Sequence, residues 1–246
     1  MNTAIHVVSI GNLAIAFAPV AVVVGLLHFW SRDGGQTVYG LSRMLLQLLV
    51  IGYFLTYLFD SDSIWIVLTV LSVMVLASSW IALRTNPAAR RGLYLLALFS
   101  ITLGGGVTLV IVTQGVLNLD PWYSPRYLIP LAGMIFGGSM NSVSLAAERL
   151  EAEMEKGSPY TVARGIALRT AMIPIVNSLF AVGLVSLPGM MTGQILSGIS
   201  PLIAVRYQIM VMCMMFAAAG LSAGVFLLLL KSRLIRLGNP GGRLQT

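Results

Sequence analysis

Half of the eight acidic side chains of this sequence lie in one short polar stretch. All four of its glutamates lie within eight positions of one another: Glu148, Glu151, Glu153 and Glu155. Arginine and lysine are interleaved with them, but no histidine or cysteine is nearby. A histidine- or cysteine-based metal site is therefore not expected here. The chemistry that this stretch favours is therefore charge-based docking to another surface.

The same stretch predicts two helices joined by a turn. Three of the glutamates share one helical face at spacings of three and four, and an apolar face forms by the same rule. Gly157 is expected to end the first helix, with Ser158 capping the second and Pro159 at its first position. We expect an elbow at about 147–167, outside the bilayer and joined to a membrane span at each end. The alternative is a solvated loop.

A second set of polar side chains lies inside apolar stretches. Asn141 and Asn177 fall on the two spans that flank the elbow and could line a shared path, or they could hydrogen-bond between helices. The thirteen methionines include Met190 and Met191. Thioethers suit soft ions such as Cu(I), but methionine also fills apolar helices, and we favour packing. The uncharged polar candidates are Gln47, Gln114, Asn141, Ser142, Asn177, Ser178 and Gln208.

The sequence lacks the motif for ATP hydrolysis through a P-loop. No GxxxxGK[ST] run occurs, and neither of the two lysines follows a glycine-rich loop. A single cysteine, Cys213, allows neither a disulfide nor a cysteine-based metal site within the chain.

The composition identifies an all-α, polytopic membrane protein. Apolar residues make up 57% of the chain and charged residues 9%, with a mean hydropathy of +0.90. All but Arg126 and Arg206 of the 15 basic residues fall on one side of the predicted spans. The N-terminus is therefore expected outside, and the elbow and C-terminus in the cytoplasm. We predict a single permease domain, 1–246, with about seven spans: 8–30, 38–59, 63–83, 93–117, 126–147, 168–187 and 203–230.

Several of these spans carry residues that break helices. Pro19, Pro130 and Pro174 each remove a helical hydrogen bond, and Gly104–Gly106 lies mid-span, so interruptions are expected there. The segment 187–201 is apolar but too short and too rich in glycine and proline to cross the membrane. We interpret it as a re-entrant or interfacial turn that could act as an outer gate, with a buried packing turn as the alternative.

Two runs of the sequence resemble the FetB-type permeases: VGLVSLPGMMTGQILSGISPLIAVRYQIMV at 182–211 and IPLAGMIFG at 129–137. These are the membrane subunits of a bacterial ABC transporter described as an iron exporter, and plant permeases linked to aluminium tolerance share the signature. The resemblance covers nearly the whole chain. It departs at Asn177 and Phe180, where familiar members tend to have aspartate and a nearby lysine. That departure weakens the expectation of a hard cation.

The resemblance implies a non-enzymatic permease subunit in the bacterial inner membrane. It would form a homodimer and bind a separate ATP-binding subunit, which holds ATP and magnesium. Metal ligands are left open by the sequence. The residues implied in ATPase coupling are Glu148, Arg149, Leu150, Glu151, Gly157 and Arg164. Those implied in the translocation path or gate are Met134, Asn141, Asn177, Pro188, Met190, Met191 and Gln208.

Two other classes of function stay open at this point. A stand-alone secondary carrier or channel for a small solute or metal would need intramembrane acids or histidines, which are scarce here. A membrane scaffold or intramembrane enzyme is the third class, and no catalytic set of residues is visible for it.

Overall fold

The computed structural model describes residues 9–31, 34–59, 63–84 and 87–236, and these residues are almost entirely helical. The predicted outer N-terminus and cytoplasmic tail, at 1–8 and 237–246, lie outside the described residues. A π-helical turn, Ile111–Val116, follows the fifth helix directly. The helices are α1 (Ile10–Ile15), α2 (Phe17–Trp30), α3 (Gly34–Phe59), α4 (Ile64–Ala82), α5 (Pro87–Val110), α6 (Pro125–Glu155), α7 (Tyr160–Ala181), α8 (Gly189–Leu196) and α9 (Pro201–Arg236).

The first three helices belong to one compact unit, residues 1–61. Ser9 caps α1 by accepting a hydrogen bond from the Asn12 backbone N–H at 3.2 Å. The helix then breaks at Ala16, and α2 begins at the next residue. Pro19 therefore lies in the first turn of α2, where its missing N–H needs no helical partner. The interruption expected near this proline is confirmed.

The second compact unit, residues 62–246, contains α4 to α9 around one hydrophobic core. Small side chains let its helices approach closely. A Cβ built on Gly104 of α5 would stand 2.6 Å from both the backbone nitrogen and Oγ of Ser222 on α9. Fully buried alanines occur on five of these helices: Ala82, Ala97, Ala132, Ala146, Ala163, Ala167, Ala204, Ala218 and Ala223.

The expected interruptions at Gly104–Gly106, Pro130 and Pro174 are wrong. Helix α5 continues unbroken through the glycines to Val110, and Gly104 allows a close contact with α9 instead of breaking the helix. Pro130 and Pro174 lie inside continuous helices. The irregular segment is the π-helical turn that follows α5, where the Thr113 hydroxyl donates to the Leu109 carbonyl at 2.9 Å.

Side-chain hydrogen bonds show that α6 and α9 run in the same direction. The Ser139 hydroxyl donates to the Ala218 carbonyl at 3.3 Å and accepts from the Ser222 hydroxyl at 3.0 Å. Further along both helices, past the turn that ends α6, Tyr160 donates to the Leu227 carbonyl. Helix α7 therefore returns antiparallel to α6 and α9.

Six helical segments in the described part of the chain are long and apolar enough to cross a membrane. Helix α7 has 22 residues but is not one of them, because it carries Arg164, Arg169 and Asn177. The predicted sixth span, 168–187, also extends beyond the end of α7 at Ala181. The six segments are Gly11–Trp30, Gly34–Phe59, Ile64–Ala82, Arg90–Val116, Pro125–Glu155 and Pro201–Ser232.

Candidate functional site

The elbow predicted from the sequence is a capped turn between α6 and α7. Gly157 has φ +84°, a left-handed conformation that favours glycine. Its N–H donates to the Met154 carbonyl at 2.9 Å, and the Ser158 N–H donates to the Glu153 carbonyl at 3.1 Å. This pair of bonds is the Schellman motif, which satisfies carbonyls that the helix end would leave free. Gly157 ends the first helix as predicted.

The predicted cap of the second helix is wrong by one residue. Pro159, not Ser158, occupies the N-cap position of α7, and Tyr160 is the first helical residue. The Ser158 hydroxyl instead donates back to Glu153 Oε2 at 3.4 Å. No side-chain hydrogen bond caps α7, so Ser158 contributes to the end of α6 and not to the start of α7.

A buried carboxylate, Glu153, holds the charged groups of the elbow together. The residue is only 7% exposed. Its Oε1 lies 2.8 Å from Arg149 Nη2 and 3.3 Å from Lys156 Nζ. A carboxylate in the last turn of a helix opposes the helix dipole, so these cations and the Ser158 hydroxyl offset an unfavourable position.

Glu153 was missed as a site residue by the sequence reasoning. The periodic face selected Glu148, Glu151 and Glu155, and Glu153 falls off that face. The available signal was the spacing of its partners. Arg149 lies four residues before Glu153 and Lys156 three after, and both spacings bring side chains together on a helix.

The elbow is anchored to α9 by Tyr160. Its hydroxyl donates to the Leu227 carbonyl, and the side chain packs against the hydrophobic core. Tyr160 lies outside the six candidate spans. Burial raises the pKa of its phenol above 10.0, while the charge of Arg164 and a hydrogen bond with the Lys231 backbone partly offset the shift. The start of α7 and the end of α9 are therefore held together.

The predicted coupling residues lie around this turn with different exposures. Glu148 and Gly157 are exposed, while Arg149, Glu151 and Arg164 are half-buried. Leu150 is fully buried in the core, so it supports the elbow by packing and does not reach its surface.

A cavity of about 120 Å³ lies between α6, α7 and α9. Three of the polar candidates from the sequence line it, Asn141, Ser142 and Ser178, and its other walls are small or apolar. Ser142 is 4% exposed, whereas Asn141 and Ser178 are exposed. The remaining lining residues are Gly138, Leu145, Ala171, Pro174, Ile175, Met215 and Ala219.

The structure does not gather all the predicted path residues into one site. Asn141 lines the cavity, whereas Asn177 is exposed and does not. Met134 is half-buried and packs against the core. Gln208 is 6% exposed, and its Oε1 has no hydrogen-bond partner among the described residues. The other path residues lie at the start of α8: Pro188 is its N-cap, Met190 is exposed and Met191 is half-buried.

The predicted outer turn contains the short helix α8, of eight residues. Gly183 and Gly198, at φ +84° and +93°, mark the turns on its two sides. The Gly198 and Ile199 N–H groups donate to the Ile195 and Gln194 carbonyls, each at 3.0 Å, which repeats the motif at the elbow. Its re-entrant or gating role stays a prediction. Within the described residues no group of three His, Cys, Asp or Glu side chains could hold a metal ion.

Comparison with known proteins covers nearly the whole chain. Residues 10–235 match a family described as "Uncharacterised protein family (UPF0014)". The chain is 40% identical to the UPF0014 membrane protein slr1647 of Synechocystis, over 76% of this chain and 78% of that protein. It is 31% identical to the probable iron export permease protein FetB of Escherichia coli, over 87% and 88%.

A plant protein is similarly related. The chain is 34% identical to Protein ALUMINUM SENSITIVE 3 of Arabidopsis thaliana, over 87% of this chain and 83% of that protein. No solved structure matches. The match over residues 10–235, together with the helical membrane architecture, shows that the chain belongs to the UPF0014 family of membrane permeases.

Proposed function

We propose that this chain is the membrane-spanning permease subunit of an ABC transporter that exports a metal ion, iron in the first instance. A separate subunit would bind ATP and magnesium and supply the energy. The name of the Escherichia coli relative, a probable iron export permease, supports the substrate and the direction. The absence of a P-loop motif from this sequence is consistent with a partner that hydrolyses ATP.

The observation that carries the proposal is the rigid, charged elbow at the end of a helix longer than the bilayer. Helix α6 has 31 residues, about 46 Å at 1.5 Å per residue. The hydrocarbon core is about 30 Å thick, so roughly 16 Å of helix extends beyond it. The Schellman turn, buried Glu153 and the bond from Tyr160 to Leu227 hold that end in one conformation. A rigid projecting end suits the transmission of motion from a docked subunit.

We propose seven crossings, with α7 as the sixth. Because α6 and α9 run in the same direction, the chain between them must return across the same thickness. Helix α7 is 22 residues long and packs against both. One face of α7, at Ala163, Ala167, Ala171 and Ile175, is buried against its neighbours, and the helix also lines the cavity. It can therefore carry more polar residues than a span that contacts only lipid. The distribution of basic residues then favours an outer N-terminus, with the elbow and C-terminus in the cytoplasm of a bacterial inner membrane.

The experiment that tests this function is co-purification. The full-length chain would be expressed with a candidate ABC-type ATP-binding subunit and purified from membranes in detergent. We expect the ATP-binding subunit to co-purify with two copies of the chain, giving a homodimeric permease. In proteoliposomes, ATP hydrolysis should be accompanied by Fe²⁺ transport.

The diagnostic variant is the double reversal Glu148→Lys and Glu151→Lys on the elbow. It should lose the ATP-binding subunit while still eluting as a folded membrane protein on size exclusion. The control is Arg206→Glu, an exposed charge reversal at the opposite end of α9, which should keep the subunit. If no ATP-binding subunit binds the unaltered chain, the ABC assignment is wrong and a stand-alone carrier or channel replaces it.

A further inference from the structure

Arg90, in the first turn of α5, is held in one orientation by uncharged groups. Its guanidinium carbon lies 4.7 Å from the centre of the Trp80 ring, a cation–π contact with the last turn of α4. Its Nε donates to the carbonyl of Leu83, the residue that ends α4, at 3.3 Å. The Tyr94 ring packs edge-on against the Trp80 ring, with centroids 5.8 Å apart, and its hydroxyl donates to the Leu76 carbonyl at 3.4 Å. Both helices therefore fix this guanidinium.

The two terminal amino groups of Arg90 keep their capacity to bind a ligand. Neither makes a hydrogen bond or an ion pair within the part of the chain that the structure describes. The neighbouring Arg91 is exposed and is not paired with a carboxylate of those residues either. Both cations oppose the dipole of α5, whose first turn has no acidic residue. The α4–α5 corner, formed by Trp80, Leu83, Arg90 and Arg91, therefore carries uncompensated positive charge and a planar pair of donors that matches a phosphate.

The α4–α5 corner lies where a bilayer meets water. The candidate span in α4 ends at Ala82, and the next one begins at Arg90. Tryptophan and tyrosine are enriched at this level of a membrane, and Trp80 and Tyr94 each lie within about one turn of those limits. The phosphates that surround a protein at this depth belong to lipid headgroups.

An exposed apolar stripe continues from Arg91 into the membrane. Leu95, Phe99 and Leu103 follow it at intervals of four residues, so they lie on the same side of α5. They are 70%, 55% and 43% exposed. A ligand with an anionic head and an apolar tail matches this arrangement, whereas a free phosphate would use the arginines alone.

We propose that the α4–α5 corner binds an anionic phospholipid, with its phosphate on Arg90 and Arg91 and an acyl chain along the stripe. The site requires only that α4 and α5 cross the membrane, so it does not depend on the proposed transport function. In the orientation proposed above, it faces the cytoplasmic leaflet, where anionic lipids attract basic residues close to the surface. Bound lipid would hold this corner at the depth of the headgroups.

The test measures lipid binding to the delipidated full-length chain in a neutral detergent by native mass spectrometry. Dioleoylphosphatidylglycerol is the anionic probe, and dioleoylphosphatidylcholine has the same acyl chains on a headgroup without net charge. We expect the chain to bind phosphatidylglycerol in preference to phosphatidylcholine. Glycerol 3-phosphate offers the phosphate without acyl chains, and we expect it to bind more weakly than phosphatidylglycerol.

Arg90→Gln should weaken phosphatidylglycerol binding about tenfold or more, because it removes hydrogen bonds between charged groups. Arg90→Lys keeps the charge but loses the planar pair of donors and the bond to Leu83, so it should recover only part of the affinity. The matched control is Arg206→Gln, which removes an exposed arginine near the start of another span, in α9. It should leave the affinity unchanged.

Trp80 is a positioning residue, and its variants separate a fixed guanidinium from general attraction by charge. Trp80→Leu keeps both arginines but removes the ring that holds Arg90, so it should weaken phosphatidylglycerol binding. Trp80→Phe retains an aromatic face and should restore most of the affinity. Trp65→Leu makes the same change at the other end of α4, where the side chain is 75% exposed, and should have no effect.

Each variant is compared as folded protein on size exclusion. The proposal is overturned if the unaltered chain does not prefer phosphatidylglycerol, if Arg90→Gln binds as Arg206→Gln does, or if Arg90→Lys binds as tightly as the unaltered chain. Glycerol 3-phosphate binding as tightly as phosphatidylglycerol would assign the corner to a free phosphate ester and reject the lipid. These measurements use neither an ATP-binding subunit nor iron, so they succeed or fail independently of the proposed transport function.

Discussion

Replacing Glu153 by glutamine tests whether the buried carboxylate organises the elbow. The substitution keeps the size of the side chain and its capacity to accept a hydrogen bond, but it removes the charge. The ion pairs with Arg149, at 2.8 Å, and Lys156, at 3.3 Å, are then lost. We expect the elbow to loosen and the protein to lose stability.

The size of the expected stability loss follows from how exposed Glu153, Arg149 and Lys156 are. A hydrogen bond to a charged group contributes about 1.5–3 kcal/mol when it is protected from water. The side chains of Arg149 and Lys156 are 40% and 64% exposed, so both regain hydration when Glu153 is neutralised. Exposed pairs contribute about 0.2–1 kcal/mol. Between these limits, we expect Glu153→Gln to cost about 1–2 kcal/mol.

The assay compares Glu153→Gln with Glu148→Gln, the same change five residues earlier at an exposed position. Denaturant unfolding in detergent gives the stability, and Glu148→Gln should remain within about 0.5 kcal/mol of the unaltered chain. Amide hydrogen exchange should accelerate at Gly157 and Ser158 in the Glu153 variant alone, because their N–H groups close the turn.

A double-mutant cycle with Arg149→Gln isolates the pair. If Glu153 and Arg149 act together, the sum of the stability losses in the two single variants will exceed the stability loss in the double variant. Equal stabilities for the Glu153 and Glu148 variants, with unchanged exchange at the turn, would refute the reasoning.

Three further predictions concern packing, backbone conformation and pH. Gly104→Ala places a Cβ 2.6 Å from the α9 backbone, so it should lower the free energy of unfolding by about 1–3 kcal/mol in thermal denaturation. Gly106→Ala, whose Cβ would meet nothing within 4 Å, should be tolerated. Gly157→Ala should destabilise the fold by about 1–2 kcal/mol, because Gly157 has a φ of +84°. Gly165→Ala, inside α7, should instead stabilise it by up to about 1 kcal/mol. If both variants changed the free energy of unfolding by similar amounts, the turn assignment at Gly157 would be wrong. Burial raises the pKa of the Tyr160 phenol in the folded protein above that in the unfolded chain. The stability that Tyr160 contributes is therefore complete below about pH 10 and is lost as the pH rises through the folded-state pKa. The melting temperature of Tyr160→Phe should not show this alkaline loss.

The elbow shows which local features the sequence predicts well. Gly157 was identified as the end of the first helix because a left-handed residue after a helix favours glycine wherever the helix lies. Ser158 was misassigned as the next cap. Its hydroxyl could bond forward to α7 or back to Glu153, and both choices satisfy the same local preference for serine at helix ends. The position of the Glu153 carboxylate decided between them.

The polar residues of the spans show where sequence reasoning stops. Asn141 and Asn177 looked equivalent, since each is an asparagine on a helix beside the elbow. The packing of the three helices decides which face of α7 turns towards α6 and α9. With α7 rotated as it is, Asn177 lies outside the cavity. Glycines were ambiguous for the same reason, because Gly104 favours either a break or a close approach, and only its neighbour Ser222 distinguishes them.

The sequence by itself determined the membrane class, most of the helices, the turn at Gly157 and the resemblance to the family. Hydropathy, turn chemistry and residue order are local properties that can be read along the chain. The tertiary structure alone decided the burial of Glu153, the parallel course of α6 and α9, and the choice of Asn141, Ser142 and Ser178 as the cavity lining. Each of these depends on the rotation and depth of one helix against another. Packing between residues distant in sequence sets that rotation and depth, so no single segment encodes them.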